Sequence, residues 1–281
     1  MGQGIFASCT SLKEVQLPED LSKLPCLTFR TCTSLEKVRL PKELTSIGEA
    51  AFSKCTLLDL EIPDSVAQIR AGAFSYCESL SRVKIPRLSS IELCVFSHCR
   101  SLKHIEIPDS VVSIQPRAFQ FCTALKEVNL PSVVTICEEA FYRCAALSKL
   151  QLGHILTSIG AKAFARCSLI HLQLPASLTT LGAGAFSYCT SLSEVEMDDS
   201  IARIPEGAFR GCQALSKLRL PETVRSIGSG AFAQCRALSQ LEWPNSLTLI
   251  ETRAFWGCPL QPIGLSPEIL EPQAFRDESR A

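Results

Sequence analysis

Phenylalanine returns every 22 or 23 residues along this chain, at Phe6, Phe29, Phe52, Phe74, Phe96, Phe119, Phe141, Phe164, Phe186, Phe209, Phe232 and Phe255, with a closer last copy at Phe275. The residues around each marker are similar, as in Ile47-Gly48-Glu49-Ala50-Ala51-Phe52-Ser53-Lys54-Cys55. A fixed period of this length signals a solenoid: one unit cannot bury its apolar face alone and stacks on copies of itself. A chain of 281 residues would otherwise suggest two globular domains. The unbroken period predicts instead a single solenoid of about twelve coils over residues 1–275, followed by a polar tail at 276–281. The chain enters in mid-repeat at Phe6-Ala7-Ser8-Cys9, so an upstream extension or another covering surface is expected at that end.

Each marker leads into Cys-x-x-Leu-x-x-Val-x-Leu-Pro, as in Cys32-Thr33-Ser34-Leu35-Glu36-Lys37-Val38-Arg39-Leu40-Pro41. Val38 and Leu40 alternate with Lys37 and Arg39, which suits a short strand with one buried face. Pro41 ends it, because proline cannot donate to a ladder. Each coil thus predicts one strand in a parallel sheet. A second apolar pair follows, such as Val66 and Ile69, and then a glycine at Gly48, Gly160, Gly182 or Gly228 that suggests a sharp turn. The segment Gly-x-x-Ala-Phe-x-x-Cys is too short for a long helix and reads as one helical turn on the outer side. The expected class is an α/β-type repeat solenoid with Ala and Phe pointing inward.

The run SIGEAAFSKCTLL…LEIPDSVAQIRAGAFSYCESL resembles the BspA-like leucine-rich repeat, whose pattern is I-G-x-x-A-F-x-x-C-x-x-L-x-x-I-x-I-P. That resemblance covers nearly the whole chain. It implies a leucine-rich-repeat horseshoe or gently curved solenoid, with roles in adhesion and protein binding, often on the surfaces of bacteria and protists. The asparagine ladder of many other leucine-rich repeats has no counterpart here.

Of the 15 cysteines, twelve stand three residues after the first twelve markers, from Cys9 and Cys32 to Cys235 and Cys258. A small, weakly polar side chain facing inward suits a tight core, so these thiols are expected to be inert. Disulfides between coils are sterically conceivable, but the count is odd. Zinc needs closely spaced ligands, whereas there is no C-x-x-C and His98, His104, His154 and His171 are scattered. Cys26, Cys94 and Cys137 lie off the column. The chain lacks a Walker loop, H-E-x-x-H, a nucleophile elbow and a strand-linked G-x-G-x-x-G, so a non-enzymatic protein without cofactor or small-molecule substrate is expected.

Lys plus Arg and Asp plus Glu balance at 28 each, which gives no field toward nucleic acid or an anionic membrane. No apolar run approaches the roughly 20 residues that span a bilayer. Met1 leads into Gly2-Gln3-Gly4-Ile5 without an apolar signal segment, so the chain as given reads as cytoplasmic, or as a cell-surface protein if an upstream signal is missing.

Function therefore rests on the surface. The outward strand positions read Glu14, Lys37, Asp59, Arg82, His104, Glu127, Lys149, His171, Glu194, Lys217 and Gln240 down the stack. The plain reading is an ion-pair ladder between neighbouring coils. The next outward column turns neutral at Asn129, Gln151 and Gln173, where a partner could displace water cheaply. The slot just before each column cysteine holds Tyr76, His98, Phe121, Arg143, Arg166 and Tyr188 over six consecutive coils, and aromatics and arginine are enriched at binding hot spots. The favoured reading is a scaffold that holds a protein partner on the strand face and this aromatic edge. The runner-up is a surface adhesin for host or matrix proteins, and the third class is a thiol or metal protein using the cysteine column.

Overall fold

The computed structural model describes residues 2–262 and 264–275; the polar tail expected at 276–281 lies outside them. The described chain winds into a parallel β-solenoid. Ten coils contribute a strand to a first side, from Glu14–Gln16 through Glu127–Leu130 and Lys149–Leu152 to Gln240–Glu242, hydrogen-bonded as five successive parallel pairs. One further coil takes part only through an isolated bridge between Lys84 and Glu106. Register sets like on like, with Val15 opposite Val38, Leu60 opposite Val83 and Leu172 opposite Val195. Because side chains alternate sides along a strand, this register keeps every inward residue inward.

Each coil holds a second short strand that the reading of one strand per coil missed. Eleven two-residue strands, such as Ser46–Ile47, Gln68–Ile69 and Ser158–Ile159, line a second side in parallel sheets of three, five and three strands. Its signal was the recurring polar-Ile pair, too short to show alternation.

The outer segment departs from the expected helical turn. Among the described residues the helical element is a single 3-10 turn, Pro267–Ile269. Each outer segment is instead a run of hydrogen-bonded turns: Ala51 N–H donates to Gly48 O (3.3 Å), Ser53 to Ala50 (3.2 Å) and Cys55 to Phe52 (3.1 Å). Ala50 and Lys54 sit at φ 49° and 63°. Two left-handed residues four apart cannot continue a right-handed helix, so the α/β reading gives way to a β-solenoid. The glycines also act differently than expected. Left-handed backbone falls on Gly72, Gly184, Gly207 and Gly230, two positions after the Gly48 slot. A Cβ on Gly182 would lie 2.3 Å from Ala161 N, so glycine there permits close approach of the preceding coil.

Inside, the marker rings form one column. Neighbouring centroids lie 5.1 Å apart for Phe141 and Phe164 with planes 3° from parallel, and the last pair, Phe255 and Phe275, lies 5.0 Å apart. Eleven rings, Phe29 through Phe255, are fully buried. Each contributes about 2–3 kcal/mol by apolar burial alone. Trp243 meets Phe255 and Phe275 edge-on at 5.4 and 6.1 Å, which adds bulk where stacking ends.

The cysteine column has a defined partner. Cys122 Sγ donates to Phe96 O at 3.1 Å and Cys144 Sγ to Phe119 O at 3.1 Å, and the contact recurs up to Cys258 on Phe232. Phe119 O also accepts the backbone N–H of Cys122 at 3.1 Å. The thiol thus satisfies the second lone pair of a buried carbonyl, a role that alanine could not fill. Ten column thiols are buried, while Cys9 is exposed and Cys26, Cys94, Cys137 and Cys258 are half-buried. A thiol reagent added to native protein is expected to modify at most those five quickly. The other ten should react only at the rate of unfolding, and rapid modification of all fifteen would refute the buried column.

Candidate functional site

The outward strand residues form one continuous exposed face, with Asp59 in register with Arg82, Glu61 with Lys84, and Lys217 with Gln240. Several cross-coil contacts close. His171 Nδ1 lies 2.9 Å from Glu194, His104 Nδ1 3.5 Å from Glu127, and Arg219 Nε 3.7 Å from Glu242. Pairs this exposed each stabilise by at most about 1 kcal/mol. They organise the face more than they hold the fold. In the neutral centre Asn129 is in register with Gln151, while Gln173 meets Glu196, and all three amides are exposed. A shallow depression lies over the first two, bordered by His104, Glu127 and Lys149.

The residues before the column cysteines form a stacked ladder one turn upstream of the strands. Tyr76 stacks on His98 with centroids 4.2 Å apart, and His98 on Phe121 at 4.5 Å. Arg143 covers the Phe121 ring at 5.4 Å and the Tyr142 ring at 5.6 Å, and Lys54 covers Tyr76 at 5.8 Å. Arg166 then covers Tyr188 at 4.7 Å. The six predicted residues are thus brought into one row, which extends to Lys54 and Tyr142; those two were not foreseen. Tyr142 follows its marker directly and so stands outside the slot that sequence spacing singles out.

The backbone explains the row. Tyr76, His98, Phe121, Arg143, Arg166 and Tyr188 all lie between φ 58° and 62°. Their amides bond to the next coil, as Tyr76 N–H does to Ser97 O at 2.7 Å and Phe121 N–H to Tyr142 O at 2.9 Å. One backbone geometry repeated at every coil sets the same side-chain direction each time. The row ends beyond Tyr188, whose ring occupies the space that a Cβ on Gly211 would need, 2.7 Å away. Burial first, and then the charge of Arg100, lowers the His98 pKa, which favours a neutral ring between its two neighbours. Its Nδ1 lies 2.9 Å from Ser97 Oγ. Among the described residues no group of three or more His, Cys, Asp or Glu side chains is arranged to hold a metal ion.

A family model described as "BspA type Leucine rich repeat region (6 copies)" matches residues 1–126, 45–170 and 157–280. No curated protein matches the chain. Among solved structures, a leucine-rich repeat protein from Bacteroides ovatus is 25% identical, with a TM-score of 0.60 and coverage of 92% of this chain and 79% of that one. A leucine rich cell surface protein from Faecalibacterium prausnitzii is 30% identical, with a TM-score of 0.57 and coverage of 88% and 77% respectively. Repeat, register and family model agree over nearly the whole length, and the chain belongs to the BspA-type leucine-rich repeat family.

Proposed function

We propose that the protein is a non-enzymatic interaction scaffold, in which residues 1–275 act as one solenoid and hold a protein partner on the strand face and the aromatic ladder. The observation that carries this reading is the stacked row itself, with Tyr76 exposed, His98 and Phe121 half-buried, and Arg143 closing over Phe121. A non-glycine residue in this left-handed slot costs about 1–2 kcal/mol, and Gly211 and Gly257 fill the same slot at lower strain. Ser8, Thr31, Lys54 and Gln234 take the same backbone in this slot, so the fold sets the conformation, whereas a run of rings and arginines in it is what the fold itself does not require. The rings are already stacked, so little side-chain freedom is left to lose on binding.

The test replaces Tyr76, Phe121 and Tyr188 together by glycine. Thermal unfolding is expected to stay within a few degrees of wild type, since strain relief offsets the lost stacking. Crosslinked capture of the partner from native lysate should fall about tenfold or more, the scale for losing hot-spot anchors. Equal capture by both proteins discards the ladder as the site.

The cell-surface description of the Faecalibacterium prausnitzii structure favours a second reading, an adhesin for host or matrix proteins. Capture from extracellular matrix but not from lysate would select it, and an export signal on the complete transcript would support it.

A further inference from the structure

We propose that the strand face is the interface of a two-fold symmetric dimer, so that its occupant is a second copy of this chain. This rests on the reading of that face as a docking surface. Each coil presents two outward residues as a row. Lys37/Arg39, Asp59/Glu61 and Arg82/Lys84 make rows that run positive, negative, positive. At the other end Glu194/Glu196, Lys217/Arg219 and Gln240/Glu242 run negative, positive, negative. Between them the centre carries Glu127/Asn129 next to Lys149/Gln151.

Consider a second copy laid face to face, related by an axis parallel to the strands and midway between Glu127–Leu130 and Lys149–Leu152. The operation reverses the order of coils but keeps strand direction, so each residue meets the equivalent strand position of the facing row. Asp59/Glu61 then face Lys217/Arg219 of the second copy, Arg82/Lys84 face Glu194/Glu196, and Lys37/Arg39 face Gln240/Glu242. At the axis Glu127 faces Lys149 and Asn129 faces Gln151, an amide pair in which each side can donate and accept. These charged rows each meet the opposite sign, while His104/Glu106 meet His171 and the neutral Gln173, and Glu14/Gln16 lie beyond the last facing strand.

This register is singled out by the sequence. Sliding one copy by a single coil sets positive rows on positive and negative on negative. Sliding by two sets Glu127 against Glu194 or, in the other direction, Lys149 against Arg82. An axis along the stack would lay every row on itself. Neutralisation within one chain accounts for alternating rows, but not for the break at the centre. There Glu106 and Glu127 carry the same sign on consecutive coils, with His104 between them at 3.7 and 3.5 Å. Alternation by itself makes the end rows complementary about this axis; the break is what sets like charges together when one copy slides by two coils, and so restricts the register to one.

The face spans about 50 Å of stacked strands at ~4.8 Å per coil and is about 10 Å wide, so it covers roughly 500 Å² per copy. That is below the roughly 800 Å² per partner of stable complexes. The dimer is therefore weak and held largely by charge, with dissociation on the order of tens of micromolar in low salt and loss above about 0.5 M salt.

Sedimentation of the full chain tests it. Wild type should dimerise at about 0.02 M salt. Asp59→Lys/Glu61→Lys and Lys217→Glu/Arg219→Glu should each be monomeric, because each sets like rows together twice. Their equimolar mixture should form a heterodimer, and one chain carrying all four substitutions should dimerise with itself but not with wild type. Should a reversed chain fold poorly, Asp59→Asn/Glu61→Gln removes the charge without repulsion and should weaken association about tenfold. A wild type that stays monomeric in low salt, or a mixture that does not associate, overturns the proposal. Ladder-dependent capture of a foreign protein surviving that result would leave the scaffold reading intact, whereas self-association without such capture would remove the ladder alone.

Discussion

Raising the pH from about 8 to about 10 is expected to unfold this protein in reducing buffer, with stability falling by on the order of 10 kcal/mol per pH unit if the coils unfold together. The cause is the cysteine column. Burial pushes its thiols up, Cys189 to about 12 and Cys122 well above the usual thiol range, where Cys144 and Cys99 add a smaller effect. In the unfolded chain each thiol titrates near about 8.5. Below that pH both states hold the proton and the column contributes its full stabilisation. Above it the unfolded chain releases protons that the folded chain keeps, so stability declines as pH climbs toward the folded pKa. Each thiol adds a slope of about 1 kcal/mol per pH unit, and ten are buried. Denaturant melts at pH about 7.5, 8.5 and 9.5 measure the slope. Cys122→Ala/Cys144→Ala should start less stable yet lose stability less steeply, by about a fifth. Identical midpoints at both ends of the range would show that the column does not titrate with unfolding.

What the sequence revealed follows from what repeats. A ring at every coil and a strand with inward Val38 or Leu60 are read directly, because core chemistry recurs with the period and register adds nothing further. The outer segment was misread for a local reason. Turn residues announce themselves when glycine takes the left-handed site, but Ala50, Lys54, Tyr76 and Arg143 take it here. Stacking constrains these residues more strongly than their own preference, so the sequence shows no turn. The Tyr76-to-Tyr188 row was legible as a row, since one slot at every coil must share one direction. Its extension to Tyr142 was not, because that ring stands outside the repeating slot and joins the row by meeting Phe121 edge-on at 5.7 Å and lying under Arg143. The thiol-to-carbonyl bond was hidden as well: nothing in Cys-x-x-Leu indicates that the acceptor belongs to the marker phenylalanine of the preceding coil.

Phe141→Ala should be the most damaging single change in the core, costing about 3–5 kcal/mol. Phe141 is fully buried and its ring stacks on Phe119 and on Phe164, both with centroids 5.1 Å away. Truncation removes both stacks and leaves a ring-sized void that the coils cannot close, because backbone ladders on three sides fix their separation. The consequence reaches past the local loss. Solenoid stability is a sum of coil and nearest-neighbour terms, so a weak junction in the middle lets the two halves unfold separately. Unfolding should become broader, with a smaller denaturant dependence for each step. Phe6→Ala is the matched control: that ring is half-buried and stacks only on Phe29, at 5.3 Å, so less than half the cost is expected and cooperativity should survive. Chemical melts of the two variants beside wild type decide the point. Equal losses from the central and terminal rings would mean that strand ladders, and not the phenylalanine column, carry the coupling between coils.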